Sequence, residues 1–332
     1  MNTVKSSKSS FAFLITSLIT AFIAIVLRTV SFIFFFDEDI GYFMSGAVLP
    51  IIFNILLFAA AVFFTVFSLL KLRGEPVAYC APTSSDKAIF ILCAILTVAL
   101  AISDLLSAIN GDAMGLLFML LSAMSALFFI FDLLKFKNVS KIELSILIFI
   151  RVTFMLAMSY FDQTVQMNSP DKVLFGLACI FAMLFIVNEM KILVNNTRPA
   201  IYYLSSALAI LFCASSSVPS IVACCIGKLP MDGLFFEYII LLAIAIYCVD
   251  RLLNVIRAAA LPKECGVVEN EESELTVGTS VDSVEEDVEA TETTDTEAVG
   301  GTEETVATDA KAEESESDTP SESENTEENK DI

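Results

Sequence analysis

The chain has 332 residues, 56% of them hydrophobic, yet carries a formal net charge of -21 and a mean hydropathy of +0.75. One water-soluble globular composition cannot hold both properties, so they must separate along the chain. Residues 1–263 hold 17 basic and 15 acidic side chains, whereas residues 264–332 hold 2 and 25.

What is missing excludes further classes. There is no His, which removes the commonest general base and metal ligand. The chain has no glycine-rich phosphate loop with its lysine and no H-E-x-x-H pair, so no enzymatic activity, cofactor or metal is expected. Basic residues are scattered singly or in twos and threes between apolar runs, and the tail is acidic. That pattern gives no basic surface for a nucleic acid.

In chain order, residues 1–10 form a short N-terminal segment bearing Lys5 and Lys8. Eight apolar runs then follow at 11–36, 47–70, 88–109, 113–134, 142–161, 173–194, 201–226 and 234–256. About 20 apolar residues suffice for a helix to cross a hydrocarbon core of about 30 Å. The connectors are short, so consecutive helices are expected to be antiparallel neighbours. The predicted architecture is an all-α integral membrane protein of eight transmembrane helices, in four antiparallel hairpins, with a disordered C-terminal tail.

Orientation follows from lysine and arginine in the short loops. One set of loops carries Lys5, Lys8, Lys71, Arg73, Lys87, Lys135, Lys137, Lys141, Lys191, Arg198, Arg251, Arg257 and Lys263; the other carries Lys172 and Lys228. Both termini are therefore expected on the cytoplasmic side of a cell membrane. With no Trp, the interfacial aromatic belt falls to Tyr42, Tyr160, Tyr202, Tyr203 and Tyr238. The eight cysteines show no C-x-x-C pairing and read as small apolar residues.

The first run contains Arg28. An arginine at a helix centre costs about 2.5 to 3.5 kcal/mol on insertion scales, which the run's Leu, Ile, Phe and Val residues outweigh. Ser17, Ala21, Ala24, Arg28 and Ser31 recur at steps of four and three and so share one face. Small residues let membrane helices approach, so Arg28 is expected to face the bundle. In the third run Cys93, Thr97, Ala101, Asp104 and Ala108 make a similar stripe, which nominates Asp104 as the partner of Arg28.

Arg151 in the fifth run lies at similar depth, on a face of larger residues, as does Asn54 in the second. The seventh run carries Ser215, Ser216 and Ser217 just before Pro219. Proline removes one helical hydrogen bond, so a kink or break is expected there. Together Arg28, Asp104, Arg151, Asn54, Ser215, Ser216, Ser217 and Pro219 make a candidate buried polar site, net positive and suited to an anion. Ser68, Asp132, Asn188 and Asp250 occupy similar places at the ends of the even-numbered runs, and local pairing with Arg251 and Asn254 is expected to satisfy Asp250.

These features predict a transporter-like or ligand-binding membrane protein, with the lipid bilayer and a small solute or anion as partners. The alternative is a noncatalytic membrane scaffold or regulatory subunit that offers its acidic tail to a cytoplasmic protein. The tail, rich in Glu, Asp, Thr and Ser, cannot bury enough apolar surface to fold.

Overall fold

A computed structural model of the chain describes residues 2–37, 42–44, 46–75, 77, 83–110, 114–134, 138–161, 169–194, 196–229 and 233–260. The chain forms two units, Met1–Glu272 and Ser273–Ile332. The second unit and residues 264–272 lie outside the described residues, as do Cys80, Lys135, Lys137 and the side chains of Lys5, Lys8 and Asp132.

The described structure is nearly all helical. Helices α1 (Asn2–Phe35), α2 (Val48–Lys71), α3 (Ser84–Ile109), α4 (Gly115–Leu134), α5 (Asn138–Phe161), α6 (Pro170–Leu193), α7 (Pro199–Ile226) and α8 (Gly233–Ala260) each contain most of one apolar run, and α1 begins inside the expected N-terminal segment. Seven are long and apolar enough to cross a membrane; α4 contributes a shorter apolar stretch, Gly115–Phe131. Between α1 and α2 a small antiparallel ribbon pairs β1 (Phe36–Asp37) with β2 (Tyr42–Phe43), in register Phe36 with Phe43.

Several ends are written in local chemistry. Thr83 caps α3 in a capping box with Asp86. Pro170 and Pro199 open α6 and α7, where the missing N–H costs nothing. Gly227, at φ 85°, closes α7: Lys228 N donates to Ala223 O at 2.9 Å and Gly227 N to Cys224 O at 3.1 Å. Only glycine takes this left-handed geometry without strain.

Helices α7 and α8 form the centre. Helix α7 packs on α1, α2, α6 and α8, and α8 packs on α7, α3, α1 and α6. Helix α7 tolerates four neighbours because Ser205, Ser206, Ala207, Ala209, Cys213 and Ser217 are small and buried. Helices α3 and α4 make the most extensive pair; a Cβ on Gly115 would lie 2.6 Å from the Ala108 backbone nitrogen. Helix α1 rests more on α7 than on its sequence neighbour α2.

The structure corrects the break at Pro219 and the aromatic belt. Helix α7 runs unbroken through Pro219. Dense packing on all sides holds the helix, while Ser217 Oγ donates to Cys213 O at 2.7 Å and Ser215 Oγ to Phe212 O at 3.3 Å. The aromatic belt is also smaller than expected: Tyr202, Tyr203 and Tyr238 are buried in the core, and Tyr160 is exposed.

Candidate functional site: three buried ion-pair clusters

The small-residue stripe of α1 faces inward: Ser17, Ala21, Ala24, Arg28 and Ser31 are all buried, Arg28 to 2% exposure. Its guanidinium meets Asp171 in the first turn of α6, with Nη2 at 3.3 Å from Oδ1. The same carboxylate accepts from Ser220 Oγ of α7 at 3.2 Å and from Tyr238 Oη of α8 at 2.5 Å. One side chain thereby ties four helices. Hydrogen bonds to an ionised acceptor are stronger than neutral ones, and the positive end of α6 favours an anion there.

Aromatic rings cover the other side of Arg28. Its guanidinium carbon lies 5.0 Å from the Phe32 and Phe43 ring centroids and 5.2 Å from that of Phe53. Each desolvated cation–ring contact is worth about 2 kcal/mol. The ribbon explains why Phe43 reaches the cation: pairing with Phe36 brings their rings to 5.5 Å and seats Phe43 against Phe32.

A second cluster joins α3, α4 and α5. Arg151 Nη2 lies 3.4 Å from Asp104 Oδ2, and Ser122 bridges them, donating to Asp104 at 2.6 Å and accepting from Arg151 Nε at 3.0 Å. Phe118 covers this guanidinium at 5.1 Å.

The third cluster occupies the other end of α6 and α8. Arg251 Nε lies 3.1 Å from Glu189 Oε1 and 2.8 Å from Tyr247 Oη, which also contacts Glu189 at 3.1 Å. Phe90 stacks over Arg251 at 5.0 Å. Beside this group, Asp86 Oδ2 accepts from Arg257 Nη1 at 3.2 Å and Asn254 Nδ2 at 3.4 Å. Asp171 and Glu189 stand 18 residues apart on α6, about 27 Å along a straight helix.

The candidate residues therefore do not form one site. Arg28 does not meet Asp104: α1 packs against α7, α2 and α8, while α3 packs against α4 and α8, so central helices separate the two stripes. Each arginine has its own carboxylate, and the net-positive arrangement dissolves into two balanced pairs. Asn54 is exposed on α2 beside the exposed Ile51, Ile52 and Ile55; Phe53, one position earlier, is the buried residue. A single step of 100° around the helix decides this. Ser215, Ser216 and Ser217 are buried with Pro219, and Ser215 and Ser217 bond carbonyls of their own helix.

Arg151 is buried despite its bulky neighbours, because Leu144, Ile148, Val152 and Met155 make that face the packed one. Among the described residues Arg251 reaches Glu189 and Asn254 reaches Asp86, while Asp250 Oδ2 has no hydrogen-bond partner. Sequence reasoning missed Asp171, Glu189 and Asp86 because acids at run ends resemble connector residues. The run Ser169-Pro170-Asp171 did carry a signal, since it is a helix start with an acid in the first turn.

Five of the six described cysteines are buried, and no disulfide joins any of the six. A groove of about 300 Å³ between α3 and α4 is lined by Phe90, Ile91, Ala94, Val98 and Phe129 among others, all apolar. No protein-family model matches the chain, and neither a curated protein nor a solved structure matches it.

Proposed function

We propose that the chain is an eight-span membrane transporter of four antiparallel hairpins, with both termini cytoplasmic and residues 264–332 an acidic disordered tail. The Arg28–Asp171 pair is its outer gate and the Arg251–Glu189 pair its inner gate. The observation that carries this reading is the placement of two buried ion pairs at opposite ends of α6, each of whose carboxylates also accepts from a tyrosine of α8. Between them lie Cys179, Cys213 and the serines of α7, all buried, so a substrate path through this core is closed at both ends. Loop lysines and arginines support the orientation, and the lipid-facing apolar surface supports the bilayer as solvent. Alternating access requires the two pairs to open in turn while the helices rock as bodies.

Site-resolved labelling tests this without knowing the solute. In inside-out and right-side-out vesicles, a membrane-impermeant thiol reagent should leave Cys179 and Cys213 unmodified in the wild type. Arg28→Ala should expose them to reagent from the outer face, and Arg251→Ala from the inner face. The rival reading is a noncatalytic scaffold whose ion pairs only hold helices together. It gives lower thermal stability in both variants with no side-selective labelling, and loss of a co-purifying cytoplasmic protein when residues 264–332 are deleted.

A further inference from the structure

The three carboxylates at the Arg251 end are not equally served. Glu189 has Arg251 at 3.1 Å and also faces Lys141 of α5. Asp86 has Arg257 at 3.2 Å, Asn254 at 3.4 Å and the backbone N–H of Thr83 at 2.8 Å. Asp250 is 2% exposed, and its Oδ2 has no hydrogen-bond partner.

Helix geometry aims Asp250 at Asp86. Asp250, Asn254 and Arg257 follow at steps of four and three and so share one face of α8; the second and third both reach Asp86 Oδ2. Among the described residues, charged groups that act on Asp250 include Asp86 on α3, Glu189 on α6 and Arg257 on α8. Two are anions, and the cation is already engaged with Asp86. A buried carboxylate in that setting is costly unless a positive charge joins it.

We propose that Asp250 and Asp86 together hold one small exchangeable cation, a proton or Na⁺. Asp250, Asp86 and Arg257 by themselves carry one net negative charge, which matches a monovalent ion, while Arg251 and Lys141 are directed at Glu189. A divalent ion would need more oxygen ligands and more charge. The two carboxylates come from α3 and α8, so occupancy sets how closely those helices approach at the end where Arg251 and Glu189 meet. The ion's role as the coupling ion rests on the transport reading above; its binding does not.

Purified full-length protein in detergent tests the site. Its melting temperature is followed as Na⁺ replaces choline at constant ionic strength and fixed pH, and separately as pH is varied without Na⁺. The expected result is a rise of several degrees with Na⁺, or with protons alone, that is absent in Asp250→Asn, which should melt at or above the ion-free wild type. The first arm identifies Na⁺ and the second a proton. Asp86→Asn should lose the same dependence and serves if Asp250→Asn does not accumulate. Equal Na⁺ and pH dependence in the wild type and the variants overturns the proposal. If ion dependence is present but the thiols are never side-selectively labelled, the ion site stands and the transport reading falls.

Discussion

Arg28 Nη2 lies 3.3 Å from Asp171 Oδ1, so the cation of α1 is neutralised by the first turn of α6, a helix 143 residues further along the chain. Removing one partner of a buried pair leaves the other charge stranded, at a cost of about 3–5 kcal/mol. Arg28→Ala and Asp171→Ala should each lower thermal stability by that order. The double variant Arg28→Met/Asp171→Leu should recover most of the loss. A double-mutant cycle should find strong coupling between Arg28 and Asp171 and coupling near zero between Arg28 and Asp104, since residues without shared contacts are additive.

Phe53 and Asn54 are adjacent but should respond oppositely. Phe53 is 1% exposed and stacks against Arg28, so Phe53→Ala should cost about 3–5 kcal/mol. Asn54 points outward, and Asn54→Leu should change stability by no more than about 0.5 kcal/mol. Unfolding of the two variants in detergent checks the contrast; a large loss in Asn54→Leu would mean that α2 is rotated.

Ser122 both donates to Asp104 and accepts from Arg151. Ser122→Ala removes both bonds and leaves buried polar atoms unserved, at about 1–3 kcal/mol. Ser122→Thr keeps the hydroxyl and should retain most of the stability. Comparing their denaturation midpoints separates the lost bond from changed volume.

Gly115 sits where α4 passes the backbone of Ala108. Even Gly115→Ala must push the helices apart, and Gly115→Leu should do so further, with overpacking losses of about 1–3 kcal/mol or more. Cysteine cross-linking between the ends of α3 and α4 should fall in step with the stability loss.

The candidate site was half legible in the sequence. The inward face of α1 could be read because burial of Ser17, Ala21, Ala24, Arg28 and Ser31 depends on spacing along one helix. The partner of Arg28 could not, because nothing local says which helix stands beside α1. Asn54 failed for a related reason: among the described residues α2 packs chiefly on α1 and α7, so most of its surface is outside and polarity alone did not mark the packed face. Pro219 does not break α7, because a proline's effect depends on how firmly the neighbours hold the helix.

The sequence by itself determined the eight apolar runs that become helices and the face of α1 turned inward. These follow from backbone sterics and hydrophobic periodicity, which act within a few residues. Only the tertiary structure decided that α7 and α8 stand at the centre, that Asp171 rather than Asp104 neutralises Arg28, and that Asp250 is left beside Asp86. Those outcomes depend on which helices pack together, and packing is settled by the fit of whole surfaces that the order of residues along the chain does not bring together.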